Sequence, residues 1–272
     1  MMEYYHLTRE ELGEGAKLPL CKMESSEAVF RRMAQEMCEE IKAHNAAGRT
    51  TVFICPVGPV GQYPFFVEQV NRERISLKNV WFINMDEYLT DEGEWVPKEH
   101  LLSFRGFMDR TVYTQVDPAL VMPEAQRVFP DPHDPAAIER TLERLGGVDV
   151  CFGGIGINGH LAFNEAQPEL TAEEFAALDT RVLAISPETR AANAIGDLNG
   201  ALEDMPKKCI TIGIRSILAA RQVRLGVFRT WHRAVIRRAA YGEKTAAFPV
   251  TLLQGHPDAR VYVNDVAAEK AY

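Results

Sequence analysis

The segment MDEY (85–88) carries the first candidate for proton-transfer chemistry, Asp86, beside a second carboxylate, Glu87. It directly follows VWFIN (80–84), an apolar run typical of a buried β-strand. A carboxylate at the end of such a strand is poorly solvated, which raises its pKa towards the range of a general base. The residues alone leave a second interpretation open, in which Asp86 only caps the following turn.

The segment GGIGINGHLAFNE (153–165) supplies a histidine and another carboxylate, His160 and Glu165, after the apolar run VDVCF (148–152). Its glycines, which include Gly153, Gly154 and Gly156, bring the backbone close to a neighbouring group. A histidine with a carboxylate partner is typical of a proton shuttle, because the carboxylate fixes the tautomer and stabilises the imidazolium. The alternative is a histidine that only anchors a loop, but the glycines and the strand end favour the shuttle.

The segment PVGPVGQY (56–63) follows TVFIC (51–55) and contains Gly58 and Gly61. A strand-to-helix turn of this kind can hold an anion with backbone N–H groups. Residues 56–61 contain no Ser, Thr or Lys, however, and their two prolines remove two N–H donors. The segment is therefore either a plain tight turn or a loop that contacts ligand.

Strands and helices that alternate along the chain must position these segments. Seven β-rich runs predict strands, at 51–55, 80–84, 148–152, 182–185, 209–214, 223–228 and 259–263. Helical patterns lie at 26–47, after the capping residue Ser25, and at 65–74, 98–113, 135–145 and 232–241. Strands that are apolar throughout indicate a doubly wound, mostly parallel α/β sheet of the Rossmann-like kind, with helices on both faces. Ligands bind such sheets beyond the carboxyl ends of the strands.

Composition narrows the class of protein further. The chain has 272 residues and a formal net charge of −8, which disfavours a nucleic-acid partner. No apolar run is long enough to span a membrane and no leader pattern opens the chain, so we expect a cytoplasmic protein without a membrane partner. The 5 cysteines lack metal-site spacing, and we expect them to be reduced and structural. We expect an N-terminal extension over 1–24 and a single domain over 25–272.

Three motifs in order, NMDEY (84–88), PKEH (97–100) and GGIGINGHLAFNE (153–165), resemble the glucosamine-6-phosphate deaminase/isomerase family. The likeness runs from about Thr51 to Asp265 and includes LLQGHPDARVYVND (252–265). The family's more distant relative is 6-phosphogluconolactonase, but the ending FNE (163–165) is similar to the deaminase branch. The resemblance implies opening of an amino-sugar phosphate ring, isomerisation between C1 and C2, and release of ammonia. It implies no metal or organic cofactor, a sugar-phosphate partner and, since such assemblies are common in the family, a homo-oligomer.

Carried over by position, Asp86 is the base that moves a proton between C2 and C1. His160, oriented by Glu165, assists ring opening, and Asn158 stands where the family has an acidic residue. The expected substrate-binding residues share a place in the two glycine loops or at the family's phosphate position: Gly58, Val60, Gly61, Gly153, Gly154, Gly156 and Arg233.

The phosphate end departs from the family pattern. The loop reads VGPVGQ (57–62) where the family is rich in Gly and Ser or Thr, and the family's phosphate-binding Arg falls on Ile195. Its phosphate-binding Lys falls on Arg233, or with an offset of one on His232. We therefore expect a deaminase/isomerase with a variant substrate. Two alternatives remain: a non-catalytic sugar-binding or regulatory protein, and a hydrolase similar to 6-phosphogluconolactonase.

Overall fold

The computed structural model describes residues 3–272 and contains two β-sheets of different size. The strands are β1 Leu20–Lys22, β2 Thr51–Cys55, β3 Val80–Asn84, β4 Asp86–Leu89, β5 Arg127–Val128, β6 Val150–Gly153, β7 Arg181–Ala184, β8 Lys208–Thr211, β9 Gln222–Val227 and β10 Ala259–Val263. The α-helices are α1 Ser26–Ala46, α2 Gln62–Glu73, α3 Phe104–Met108, α4 Ala137–Leu145, α5 Ala172–Ala176, α6 Pro187–Asp197, α7 Ile214–Leu218, α8 His232–Tyr241 and α9 Asp265–Ala268.

The larger sheet has seven parallel strands in the order β1-β10-β9-β6-β2-β3-β5. Alternate residues of its central strands are buried in two separate apolar cores. Ile54 points into one core, and Phe53 and Phe82 point into the other. Both faces of the sheet are therefore covered, and the predicted doubly wound, mostly parallel α/β class is confirmed.

The smaller sheet corrects the sequence prediction. The runs at 182–185 and 209–214 were expected in the parallel sheet, but they supply β7 and β8 of a three-stranded antiparallel sheet, in the order β4-β8-β7. The residues of β7 alternate between half-buried and exposed. One face of this strand meets solvent, which antiparallel sheets tolerate and parallel ones rarely do.

Helix α1 starts where the capping pattern predicts, since the Ser25 side chain accepts a hydrogen bond from the Ala28 N–H at 3.1 Å. The helix expected over 98–113 is wrong in its first half. Residues 98–103 form turns, α3 begins at Phe104, and Asp109–Tyr113 is a single π-helical turn.

The chain before Ser25 packs onto the body. Leu20–Lys22 forms the edge strand β1 beside β10, and Leu12 and Leu18 are buried in the core. The division at residue 24 stays a prediction, although β1 already belongs to the main sheet. Across residues 3–272, none of the helices is long and apolar enough to cross a membrane.

Candidate active site

A cavity of about 530 Å³ lies where the strand order of the main sheet reverses. The chain adds β3 on one side of β2, and later adds β6 on the other side. This switch leaves a crevice beyond the carboxyl ends of β2 and β6, the usual ligand site in open α/β sheets. The loops that follow these two strands both line the cavity, and its volume suits a small molecule.

The cavity wall is mostly aromatic and apolar, with few polar groups. The aromatic residues are Phe30, Tyr88, Phe104, Phe107, Phe163, Phe228 and Trp231. The polar side chains are Asp86, Ser103, His160, Asn193, Asp197, Arg229 and His232. A few convergent polar groups in an apolar wall are typical of a site that orients one small ligand.

Asp86 stands at the junction of the two sheets. The Met85 N–H donates to the Cys55 carbonyl at 3.0 Å in the main sheet, and the Met85 carbonyl accepts from the Ile212 N–H at 2.7 Å. The Asp86 side chain reaches the cavity and accepts no hydrogen bond from the described residues 3–272, so it caps no turn there. Burial, and then the neighbouring charge of Glu87, raise its pKa well above the usual range. The geometry therefore provides a carboxyl group with high proton affinity and free oxygens.

Glu87 anchors one wall of the cavity. Its Oε1 accepts from the N–H groups of Tyr88 at 3.0 Å and Phe104 at 2.9 Å. Its Oε2 accepts from the Ser103 hydroxyl at 3.1 Å, and from the Arg105 N–H and Nε at 2.9 and 3.2 Å. Because Ser103, Phe104 and Phe107 line the cavity, this buried carboxylate fixes that part of the cavity wall.

His160 is oriented through Asn158 more than by Glu165 directly. Its Nδ1 lies 2.8 Å from the Asn158 Oδ1, and the Asn158 Nδ2 donates to the Glu165 Oε2 at 2.6 Å. The direct distance from His160 Nδ1 to Glu165 Oε2 is 3.5 Å. The amide oxygen can only accept, so Nδ1 carries a proton, and Nε2 makes no hydrogen bond with residues 3–272. The expected His160–Glu165 pair is thus a three-residue relay, with the amide of Asn158 as its middle member.

Glu165 is the third member of this relay and does not line the cavity. Its Oε2 also accepts from the hydroxyl groups of Ser186 at 3.1 Å and Thr189 at 3.2 Å. Burial alone would raise the pKa of Glu165, but hydrogen bonds from His160, Asn158 and Thr189 and the charge of His160 lower it to about 2. The carboxylate therefore keeps its charge throughout the physiological range.

The glycines of 153–156 make room for neighbours. A Cβ on Gly156 would lie 2.0 to 2.3 Å from atoms of the His160 ring, so the imidazole packs directly on this backbone. A Cβ on Gly154 would lie 3.0 Å from Pro59, where the two glycine loops meet. Gly154 and Gly156 line the cavity, whereas Gly153 faces Met85 and Leu225 inside the fold. Gly153 therefore does not line this cavity, and its expected substrate contact stays a prediction.

The loop after β2 lines the cavity through Gly58, Val60 and Gly61. Within the described chain, the N–H groups of these residues make no hydrogen bond. The first turn of α2, directly after the loop, has no side-chain cap either. The loop therefore retains backbone donors despite its two prolines.

The two positions matched to the family's phosphate-binding residues lie away from the cavity. The Arg233 side chain donates to the Val266 carbonyl at 2.9 Å, and its expected substrate contact stays a prediction. Ile195 is 73% exposed on α6 and does not line the cavity either.

His232 does line the cavity, but its ring is used internally. Its Nδ1 accepts from the N–H groups of Phe228 at 3.1 Å and Arg229 at 2.9 Å, and its Nε2 donates to the Ile155 carbonyl at 2.9 Å. Burial lowers the pKa of His232 to about 4, so the ring is neutral. It joins the loop after β9 to the loop after β6.

Arg229 is the residue that sequence reasoning missed. It lines the cavity two positions beyond the end of β9. The signal available was its place after a predicted strand, at 223–228, but a lone arginine in a chain with 30 basic residues is not distinctive.

One cluster with metal-binding residue types lies elsewhere in the described chain. Glu40, His44 and Asp149 come together where β2 and β6 begin, at the end of the sheet away from the cavity. Their atoms already have partners: His44 Nδ1 lies 3.0 Å from the Thr50 carbonyl, and Asp149 accepts from the Val52 N–H at 2.8 Å. We interpret the cluster as a structural link between α1 and the sheet.

Known proteins resemble this chain over most of its length. Glucosamine-6-phosphate deaminase from Porphyromonas gingivalis is 30% identical over 233 residues, which are 83% of this chain and 83% of the relative. The chain belongs to the glucosamine-6-phosphate deaminase family. No family model matches the chain.

Solved structures of other proteins share the fold of this chain. A monomeric glucosamine-6-phosphate deaminase superposes with a TM-score of 0.78 at 24% identity, covering 92% of this chain and 98% of that one. The 6-phosphogluconolactonase from Trypanosoma brucei gives a TM-score of 0.66 at 16% identity, covering 92% and 97%. Both deaminase and lactonase folds thus share this architecture, and fold alone does not decide the activity.

Proposed function

We propose that this chain is an amino-sugar phosphate deaminase/isomerase acting on a variant substrate. Its reaction opens the sugar ring, moves a proton between C2 and C1 and releases ammonia. The observation that carries the proposal is the presence of Asp86 and the free Nε2 side of His160 in one small, mostly apolar cavity. The resemblance to the deaminase family assigns proton transfer to these same positions.

His160 serves ring opening in this proposal. With Nδ1–H directed at Asn158, the free Nε2 can take the proton of the C1 hydroxyl and return it to the ring oxygen. The C1–O bond to the ring then breaks and leaves an open-chain aldehyde. The charge of Glu165 behind Asn158 stabilises the imidazolium that forms between these two steps.

Asp86 serves the isomerisation. Its ionised carboxylate takes the C2 proton of the open chain while a proton passes from the ammonium group to the C1 oxygen, which gives an enol with a C1–C2 double bond and a neutral amine on C2. Return of the proton from Asp86 to C1 leaves an iminium at C2, which water hydrolyses to a ketose and ammonia. The ammonium group of a 2-amino sugar favours the ionised form of a carboxyl whose pKa is raised by burial.

The altered phosphate end supports a variant substrate. Ile195 and Arg233, the positions matched to the family's phosphate-binding residues, do not line the cavity. His232 lines it, but its ring is neutral and already hydrogen-bonded within the fold. Each charge-assisted hydrogen bond contributes roughly 1.5–3 kcal/mol to affinity. We therefore expect glucosamine-6-phosphate to have a Michaelis constant well above the micromolar range. A micromolar value would contradict the variant substrate and leave the deaminase activity standing.

Proton exchange tests the proposal directly. Candidate amino-sugar phosphates are incubated with the protein in deuterated water, and deuterium at C2 of the remaining amino sugar and at C1 of the ketose is read by NMR. We expect exchange with the unaltered protein and a loss on the order of 10²–10⁴-fold in Asp86→Asn. Asp91→Asn, which changes an exposed aspartate just beyond β4, is the matched control and should retain exchange.

Two outcomes would contradict the proposal. Binding of an amino-sugar phosphate without deuterium at C2 of the sugar or at C1 of a ketose product would favour the non-catalytic sugar-binding alternative. Hydrolysis of 6-phosphogluconolactone without exchange would favour the lactonase alternative.

A further inference from the structure

Arg229 presents an unpaired guanidinium to the cavity. In the described part of the chain it makes no ion pair and no side-chain hydrogen bond, and its ring contact with Phe228 is 6.0 Å from the centroid. The other arginine of this strand region, Arg224, is fully engaged by Glu36 and Asp258. A guanidinium cannot lose its charge and offers five N–H donors. Its donors at the cavity are therefore available to a ligand.

Packing contacts hold the Arg229 side chain in place, since the described residues give its guanidinium no hydrogen-bonding partner. A Cβ on Gly196 would lie 2.8 Å from its Nη1 and 3.2 Å from its Nη2, so the guanidinium lies against the last turn of α6. The partial negative charge of a helix C-terminus favours a cation there. Arg229 thus keeps a defined position without using its hydrogen-bonding capacity on a carboxylate.

The surroundings of Arg229 suit a compact anion. Arg229 is an exposed residue of the cavity wall, beside the aromatic residues Phe228 and Trp231. The free N–H groups of the 56–61 loop line the same cavity. Asp197 also lines the cavity and makes no ion pair with Arg229, although the Arg229 charge lowers the pKa of its carboxyl against the rise caused by burial. An oxyanion is the ligand group that matches a planar fork of donors without a hydrogen-bonded partner.

We infer that Arg229 selects a sugar with an oxyanion, phosphate or carboxylate, at the end remote from its reacting carbons. The inference deepens the proposed function and rests on it, because it takes C1 and C2 to lie against Asp86 and His160. It replaces Arg233 and position 195 as the charged determinant of that end of the substrate.

Equilibrium binding to the Asp86→Asn protein tests the inference without turnover. The probes are glucosamine-6-phosphate, the corresponding 6-carboxylate (glucosaminuronic acid) and glucosamine, which carries no charge at that end. Their dissociation constants are measured by calorimetry. Adding Arg229→Gln should weaken binding of the preferred anionic sugar by about 10- to 100-fold and leave glucosamine unchanged. Arg229→Lys keeps the charge without the fork and should give an intermediate loss.

Arg233→Gln is the matched control, because it removes the same charge from a side chain outside the cavity. It should leave the ratio of anionic to uncharged sugar affinity unchanged. The larger of the losses for phosphate and carboxylate identifies which oxyanion the site takes.

Equal affinity ratios in the Arg229→Gln and parent proteins would overturn the inference and leave Arg229 as a packing partner of α6. Failure of the proposed function is distinguishable. If no amino sugar exchanges its C2 proton but Arg229→Gln still loses the anionic ligand selectively, the inference stands and the reaction assignment fails. If no sugar binds the Asp86→Asn protein at all, both fail.

Discussion

The proposed reaction and the burial of Asp86 favour opposite states of its carboxyl group. The proposed reaction requires an ionised carboxylate when substrate arrives, whereas the apolar surroundings and the charge of Glu87 favour the protonated form. The folded protein therefore binds this proton more tightly than the unfolded chain does. Below the unfolded pKa near 4, the Asp86 carboxyl therefore does not lower the free energy of unfolding. As the pH rises from there towards the folded pKa, it lowers the free energy of unfolding by an increasing amount.

Asp86→Asn should remove this pH-dependent cost. We expect the free energy of unfolding of the parent protein to fall relative to the variant as the pH rises from about 4 to 8. Denaturant unfolding at pH 4, 6 and 8 measures the difference, and Asp91→Asn should follow the parent. A constant difference across this range would show that Asp86 is ionised as easily in the folded state as in the unfolded one.

Glu165 has the opposite linkage, since its folded pKa of about 2 lies below its unfolded value. Its ionised form stabilises the fold above about pH 4.5, and this contribution disappears as the pH falls through about 2. Glu165→Gln should therefore cost about 1–3 kcal/mol of unfolding free energy at pH 7 and much less near pH 2. It should also lower kcat more than it changes KM, because Glu165 does not line the cavity.

Asn158→Ala provides the control for that prediction. It breaks the relay to His160 and should lower kcat in the same way, but it retains the Glu165 charge. If both variants lose stability with the same pH dependence, the carboxylate charge is not the stabilising group.

The sequence was sufficient to predict which acid and which histidine enter the cavity, because both follow buried strands whose carboxyl ends converge. It named Asn158 but not the contacts through which that residue acts, and it missed Arg229. The amide acts through contacts that depend on the path of the 158–165 turn. The arginine matters because its neighbours leave it unpaired, and an absence of partners has no sequence pattern.

At the level of secondary structure, a tertiary contact sets the start of α3 against the local sequence pattern. The helical periodicity of 98–113 predicted one helix, but the N–H groups of Phe104 and Arg105 donate to Glu87. The Ser103 hydroxyl accepts from the Gly106 N–H at 3.1 Å and fixes the start of α3. A carboxylate from a distant strand thus decides where this helix begins, which no window of local sequence contains.

Glu87→Gln should loosen this wall. The amide nitrogen cannot accept the donors of Ser103 and Arg105, so buried donors lose their partner at a cost of about 1–3 kcal/mol. We expect lower stability together with a raised KM, measured by denaturant unfolding and by steady-state kinetics. Ser103→Ala removes one donor to Glu87 and the acceptor of the Gly106 N–H, and should have a smaller effect on both. An unchanged KM in a clearly destabilised Glu87→Gln protein would show that the wall does not contact substrate.

For the molecule as a whole, strand composition predicted the parallel sheet because its central strands are buried on both faces. The smaller sheet was missed because β4 follows β3 with only Met85 between them, and a change of sheet at one residue leaves no turn signal. The pairing of β4 with β8 joins residues more than a hundred positions apart, and local periodicity carries no information on such a register.

Arg237 joins both ends of the chain to the domain. This fully buried guanidinium donates to the carbonyls of Leu7, Arg233 and Ala268. Arg237→Met should leave these carbonyls without a donor and cost roughly 3 kcal/mol or more, measured by denaturant unfolding. Arg238→Met, at a half-buried neighbour that stacks on Phe248 at 4.2 Å, should cost less. Equal losses would show that the termini are held by their apolar contacts alone.

The close packing of the His160 imidazole on Gly156 gives a way to inactivate the site by a steric change alone. Gly156 does not have the positive φ that favours glycine, so its backbone accepts alanine without strain. The added methyl group would nevertheless occupy the space of the ring and turn it away from Asn158. Gly156→Ala should therefore keep every charge and hydrogen-bonding group of the protein and still lose turnover, as measured by C2 proton exchange. Such a variant would hold an unreacted sugar long enough for its structure to be determined, with the carboxylate of Asp86 unaltered beside it.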